Sequence, residues 1–123
     1  MSGVANTSGV FNTFVGFSSG YWNSSGQYNT YLGYLAGLNS KTANYNTFLG
    51  NSAGMFNTTG SNNTFVGNFS GNNTTEGRFN TFLGNTAGHS NLTGSYNTFL
   101  GNDAGYYNLT GYSNVAVGTS AGI

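Results

Sequence analysis

Asn80-Thr81-Phe82-Leu83-Gly84-Asn85-Thr86-Ala87-Gly88-His89-Ser90-Asn91-Leu92-Thr93-Gly94-Ser95-Tyr96 is one period of this chain, and its recurrence decides the fold. The opening Asn-Thr, followed by an aromatic and an aliphatic residue, returns at Asn12, Asn29, Asn46, Asn63, Asn80 and Asn97, and in degenerate form at Asn114. Every interval is 17 residues, without insertion or deletion. With that asparagine as position 1 of 17, residues 1–11 fit the template from position 7, and Gly3, Asn6, Gly9 and Phe11 fall in their columns.

The 21 glycines occupy three columns. Position 5 runs from Gly16 to Gly118, position 9 from Gly3 to Gly122, and position 15 from Gly9 to Gly111 with Ala43 as its one exception. Glycine placed so strictly marks corners that need φ > 0 or a close approach between neighbouring coils. Between corners, positions 17 to 4 (Tyr96-Asn97-Thr98-Phe99-Leu100) form a β-branched and aromatic run that ends at a glycine, which reads as a strand. No stretch sustains a 3.6-residue period. The pattern predicts an all-β parallel β-solenoid, or β-roll: one coil per repeat, about seven coils, one repeat domain over residues 1–123. Stacking at the ~4.8 Å strand spacing makes a rod on the order of 34 Å long. Proline is absent because the ladder amides must donate. The asparagines of position 1 are expected to form a ladder of side-chain amides, each bonded to its counterparts above and below.

Composition excludes several classes. Lys41, Glu76, Arg78 and Asp103 are the only formal charges, so phosphate neutralisation by a basic surface is ruled out, and no nucleic-acid partner is expected. Without cysteine there is neither a disulfide framework nor a thiolate zinc site. An aromatic content of 16% separates the chain from ordinary disordered segments. No apolar run approaches the ~20 residues of a membrane-spanning helix, so no membrane insertion is expected.

Alternation in Tyr96-Asn97-Thr98-Phe99-Leu100 sends Tyr96, Thr98 and Leu100 one way and Asn97 and Phe99 the other. Both faces therefore carry large apolar columns. One is Leu/Val with Tyr/Phe; the other is Phe14, Tyr31, Phe48, Phe65, Phe82 and Phe99, a core or inter-chain aromatic column. A lone solenoid has a single interior, so one column is expected inside each coil and the other against partner chains; a single narrow coil with a partly exposed aromatic ladder is the alternative.

The copy Asn114-Val115-Ala116-Val117-Gly118-Thr119-Ser120-Ala121-Gly122 resembles the S-V-A-I-G-x-x-A-x-A-x-G repeats of trimeric autotransporter adhesin heads. The fuller N-T-F-L-G-N-x-A-G copies look like repeats of bacterial surface and phage-type tail-fibre proteins. The resemblance implies a left-handed parallel β-roll, a homotrimer of three chains around one axis and an adhesive or fibre role. It also implies a segment of a longer fibre that is extracellular, on a cell surface or a virion. The head repeats are usually shorter and carry a small residue where this chain has Phe, so axial packing differs. No binding residue carries over.

The residues offer little chemistry for catalysis. His89 is the only histidine, and Glu76 and Asp103 lie at different corners, positions 14 and 7, so no acid pair, triad or metal cluster assembles within one chain. The expectation is no enzyme, no cofactor and no metal. Two surface tracks remain. Positions 10 and 11 place Tyr21, Trp22, Phe56, Tyr106 and Tyr107 beside Asn and Ser, which suits stacking on glycans of a host or other cell surface; the same residues also suit filling crevices between chains. Positions 12 to 14 repeat Asn-x-Ser/Thr at Asn6, Asn23, Asn57, Asn91 and Asn108. Those triplets, with Asn23, Asn57, Asn91 and Asn108 as candidate glycosylation acceptors, also read as an ice-binding lattice or as a structural ladder that satisfies turn backbones. A self-assembling filament subunit is a further alternative to the fibre reading.

Overall fold

The computed structural model describes residues 1–122. Seven strands follow at the 17-residue interval: β1 Thr13–Val15, β2 Thr30–Leu32, β3 Thr47–Leu49, β4 Thr64–Val66, β5 Thr81–Leu83, β6 Thr98–Leu100 and β7 Val115–Val117. They form one parallel sheet in the order β1-β2-β3-β4-β5-β6-β7. The register sets like on like, with Thr64, Phe65 and Val66 opposite Thr81, Phe82 and Leu83. The chain is thus a parallel β-solenoid of about six full turns, one repeat per coil.

Hydrogen bonds between coils continue beyond the strands. Within residues 80–96, backbone N–H groups donate to neighbouring coils from Thr81 to Asn97 O (2.8 Å), Gly84 to Val66 O (2.8 Å), Thr86 to Asn68 O (2.9 Å), Gly88 to Ala104 O (2.9 Å), Leu92 to Leu109 O (2.8 Å) and Tyr96 to Arg78 O (2.9 Å). The rungs run along the rod axis all round the coil. A proline at any of these positions would remove one.

The strands are shorter than the sequence suggests, three residues where the run has five. Position 17 is the reason: Tyr28, Tyr45, Phe79 and Tyr96 all have φ between 55° and 61°, so the chain turns there before the strand begins. Position 7 turns likewise, and among the described residues fourteen non-glycine residues are left-handed. A left-handed non-glycine residue costs about 1–2 kcal/mol, which the surrounding ladder must outweigh.

The aromatic column at position 3 is the core. Tyr31, Phe48, Phe65, Phe82 and Phe99 are buried, and their rings stack with centroids 4.8–4.9 Å apart. Glycine at position 9 makes room for them: a methyl on Gly54 would sit 2.5 Å from Phe48 Cε2. Position 15 needs glycine for another reason. Its φ is not positive; a methyl on Gly60 would instead run into Asn57 Oδ1 and the carbonyl of Gly77 in the next coil. Residues 29–45 vary all three elements of this packing together. Tyr31 replaces Phe, Ser40 replaces the larger Asn, and Ala43 replaces Gly. The shorter Ser40 frees the volume that the extra hydroxyl and methyl take up.

The asparagine ladder at position 1 differs from the expected pattern. Each side chain bonds chiefly to backbone: Asn63 Nδ2 donates to Gly77 O across its own coil (2.8 Å), and Asn63 Oδ1 accepts the Asn80 backbone N–H of the next (2.9 Å). Direct amide-to-amide bonds appear only from Asn80 Nδ2 to Asn63 Oδ1 (3.2 Å) onward, at Asn97 and Asn114. Backbone groups win because buried main-chain donors and acceptors at corners have no other partners.

Candidate functional site

The outward face of the sheet is built by three columns. Position 17 supplies aromatics, position 2 threonine, and position 4 leucine or valine. Strand alternation turns positions 2 and 4 away from the Phe column inside, and the position 17 rings, in the turn before the strand, are exposed as well. Tyr45 is 58% exposed and Leu49 39%. The aromatics stack along the rod, Tyr28 on Tyr45 at 5.0 Å and Phe79 on Tyr96 at 5.0 Å, with Asn62 interrupting the series. Positions 17 through 6 carry no Asp, Glu, Lys or Arg in any coil, so all four charges lie off this face.

Tracks 10 and 11 are less regular. Trp22 and Tyr107 are exposed and Tyr21 and Tyr106 half-buried. Each half-buried ring meets its neighbour edge-on, Tyr21 with Trp22 at 4.8 Å and Tyr106 with Tyr107 at 4.7 Å. Phe56 is exposed two coils from the first pair and three from the second. The structure therefore forms two separate platforms, not one aromatic surface. Beside the second lies an open cleft of about 220 Å³ lined by Asp103, Tyr106, Tyr107 and Ser120. In the sequence Asp103 reads only as an isolated acid, with nothing to place it beside these rings; its status as the only aspartate was the available signal. Its carboxylate accepts the Thr86 hydroxyl and the Asn102 side-chain amide.

His89 stacks on Tyr106 at 4.8 Å. Burial lowers its pKa below the ordinary histidine value, and the facing Asp103 carboxylate acts in the opposite direction. The folded protein consequently prefers neutral His89. Stability should decline slightly as pH falls from 7.5 through the ordinary histidine value of about 6.5, and His89→Gln should flatten that slope. Urea unfolding of both proteins at pH 5 and 7.5 checks this; equal slopes would dismiss it.

The position 12 column lies inside the coil, which corrects the glycosylation reading for Asn23, Asn57 and Asn91. All three are fully buried, and Asn57 Nδ2 donates to Gly60 O (2.9 Å), leaving no space for a glycan. Asn108 is half-buried, and its Nδ2 donates to Asn91 Oδ1 (2.8 Å) and Gly111 O (3.2 Å). The column is a structural ladder with two gaps. Asn91 Oδ1 accepts from Asn108 above, but Asn23 and Asn57 Oδ1 are buried without partners, because Ser40 and Thr74 above them are too short to reach. Thr74→Asn should close the second gap, since residues 63–79 keep the usual Phe65 and Gly77. The expected gain is about 1–2 kcal/mol by urea unfolding, and a loss would refute the ladder account. Among the described residues, Tyr31 OH is the remaining buried side-chain group without a partner; it sits beside Ser40 and Asn46, and burial pushes its pKa up.

Among the described residues, no three of His, Cys, Asp or Glu lie together as a metal site, and no helix is long and apolar enough to cross a membrane. No protein-family model, curated protein or solved structure matches the chain.

Proposed function

We propose that the chain is a non-catalytic structural and adhesive segment of an extracellular fibre, of the kind found in cell-surface adhesins and tail fibres, in which three copies associate along their length. One observation carries this reading: a charge-free face with exposed position 17 aromatics along one side and exposed position 4 leucine and valine along the other runs the length of the rod. Soluble monomers seldom leave so long an apolar stripe in water. The rod serves as a stiff spacer. Its two aromatic platforms, Tyr21–Trp22 and Tyr106–Tyr107, offer ring faces to glycans of a target surface. Light scattering should return three times the chain mass, and a monodisperse monomer would overturn the fibre reading. Glycan-array binding that Trp22→Ala and Tyr107→Ala reduce would support the adhesive role; an array with no signal would remove it.

A second reading has one observation in its favour. The threonine column Thr13, Thr30, Thr47, Thr64, Thr81 and Thr98 is an unbroken outward row at strand spacing on a regular sheet, which suits ordering water at an ice surface. The Asn-x-Thr track gives this reading no continuous lattice, because Asn23, Asn57 and Asn91 are buried. Freezing hysteresis no greater than that of an ordinary protein dismisses it.

A further inference from the structure

The outward sheet face is not symmetric across its width. Aromatics line one rim, leucine and valine the other, and the short threonines lie between. We propose that this face is the surface through which copies of the chain assemble. Three of them close around an axis parallel to the rod, with the position 17 aromatics of each packed on the position 4 aliphatics of the next and the threonines nearest the axis. The inference rests on the fibre reading above and specifies its contact.

Three properties of the face point to a second copy of this chain as its occupant. A surface repeating at every coil is matched along its whole length only by a partner with the same axial repeat, and another copy in the same direction has it. The face carries no charge, so copies meet without desolvating ions, whereas Lys41, Glu76, Arg78 and Asp103 all lie on other sides. Its two rims differ in chemistry, which suits a head-to-tail contact that closes into a ring with every seam alike. The number three is taken from the fibre reading.

The absence of cysteine makes a site-selective test direct. In the variant Asn62→Cys/Val66→Cys, each rim of one coil carries a thiol. A bismaleimide link within one chain leaves a monomer on a denaturing gel, so every larger product reports a link between chains. The expected product on a denaturing gel is a covalent trimer. Covalent dimers that never progress to trimers would overturn the three-fold arrangement. A trimeric mass with no cross-linking would overturn this face and leave the fibre reading standing. A monomeric wild-type protein would overturn both. Thr47→Glu supplies an independent arm, since it puts three carboxylates near the axis without touching the core. It should yield folded monomers by light scattering and circular dichroism, while Thr42→Glu on another side stays trimeric. An unchanged mass for Thr47→Glu would reject the face.

Discussion

Gly67→Ala should leave the chain unable to form its solenoid. Gly67 has φ +136°, a conformation closed to L residues, and an added methyl would lie 2.6 Å from the carbonyl carbon of Gly84 and 3.2 Å from Asn85 N. These obstacles are backbone, and backbone that cannot yield. The Gly67 N–H donates to Leu49 O, and the Gly84 N–H donates to Val66 O, both at 2.8 Å. Moving either coil breaks rungs on both sides of it. The cost should exceed about 4 kcal/mol, a large part of the roughly 5–15 kcal/mol that holds a domain together. It also falls in the middle of the array, where each coil depends on its neighbours for an interface. Ser120→Ala is the control, because Ser120 is left-handed at φ 55° but exposed, and its effect should stay below about 1 kcal/mol. Circular dichroism and urea unfolding give the comparison. A Gly67→Ala protein that unfolds cooperatively near the wild-type midpoint would mean that the coils are spaced more loosely than described.

Asn63→Asp should convert the protein into one that folds only in acid. The fully buried Asn63 side chain donates through Nδ2 to Gly77 O and accepts the Asn80 N–H at Oδ1. An ionised aspartate keeps the acceptor and replaces the donor with a second oxygen facing the Gly77 carbonyl. A protonated carboxyl can still donate there. Burial without a cation raises the folded-state pKa of the new group above its unfolded value of about 3.9. The variant is therefore most stable below that value and loses stability as pH rises, through a loss on the order of 4 kcal/mol or more by pH 7. Urea midpoints at pH 3.5 and 7 should nearly coincide with wild type at the first and fall far below it at the second. A difference that does not vary with pH would show that the Nδ2 bond matters little.

The period, the glycine columns and the strand run were plain in the sequence because each is a spacing. The choice between two apolar columns was not, since alternation separates the sides of a strand without saying which is inside. The deciding signal was complementarity of size: Phe at position 3 requires Gly at position 9, and only an interior column needs that room. The Asn-x-Ser/Thr track misled for a related reason. Its asparagines resemble surface acceptors, yet they share an enclosed corner with the glycines of position 15, as Ser40 paired with Ala43 already hints. Left-handed Tyr and Phe at position 17 contradict local preference and arise from the coil closing on itself, which no single repeat discloses. The outer face was half visible: its apolar columns were evident, its freedom from charge became meaningful only once the columns were seen together.

The axial rungs also govern how the rod responds to load. Tension along the axis opens hydrogen bonds end-on, one coil at a time, so the chain peels and does not shear. Each coil released exchanges ~4.8 Å of rod for roughly 55–60 Å of extended chain. A tether made this way lengthens by about an order of magnitude before any covalent bond is strained. Coils that reclose when the pull slackens would return that length to the rod.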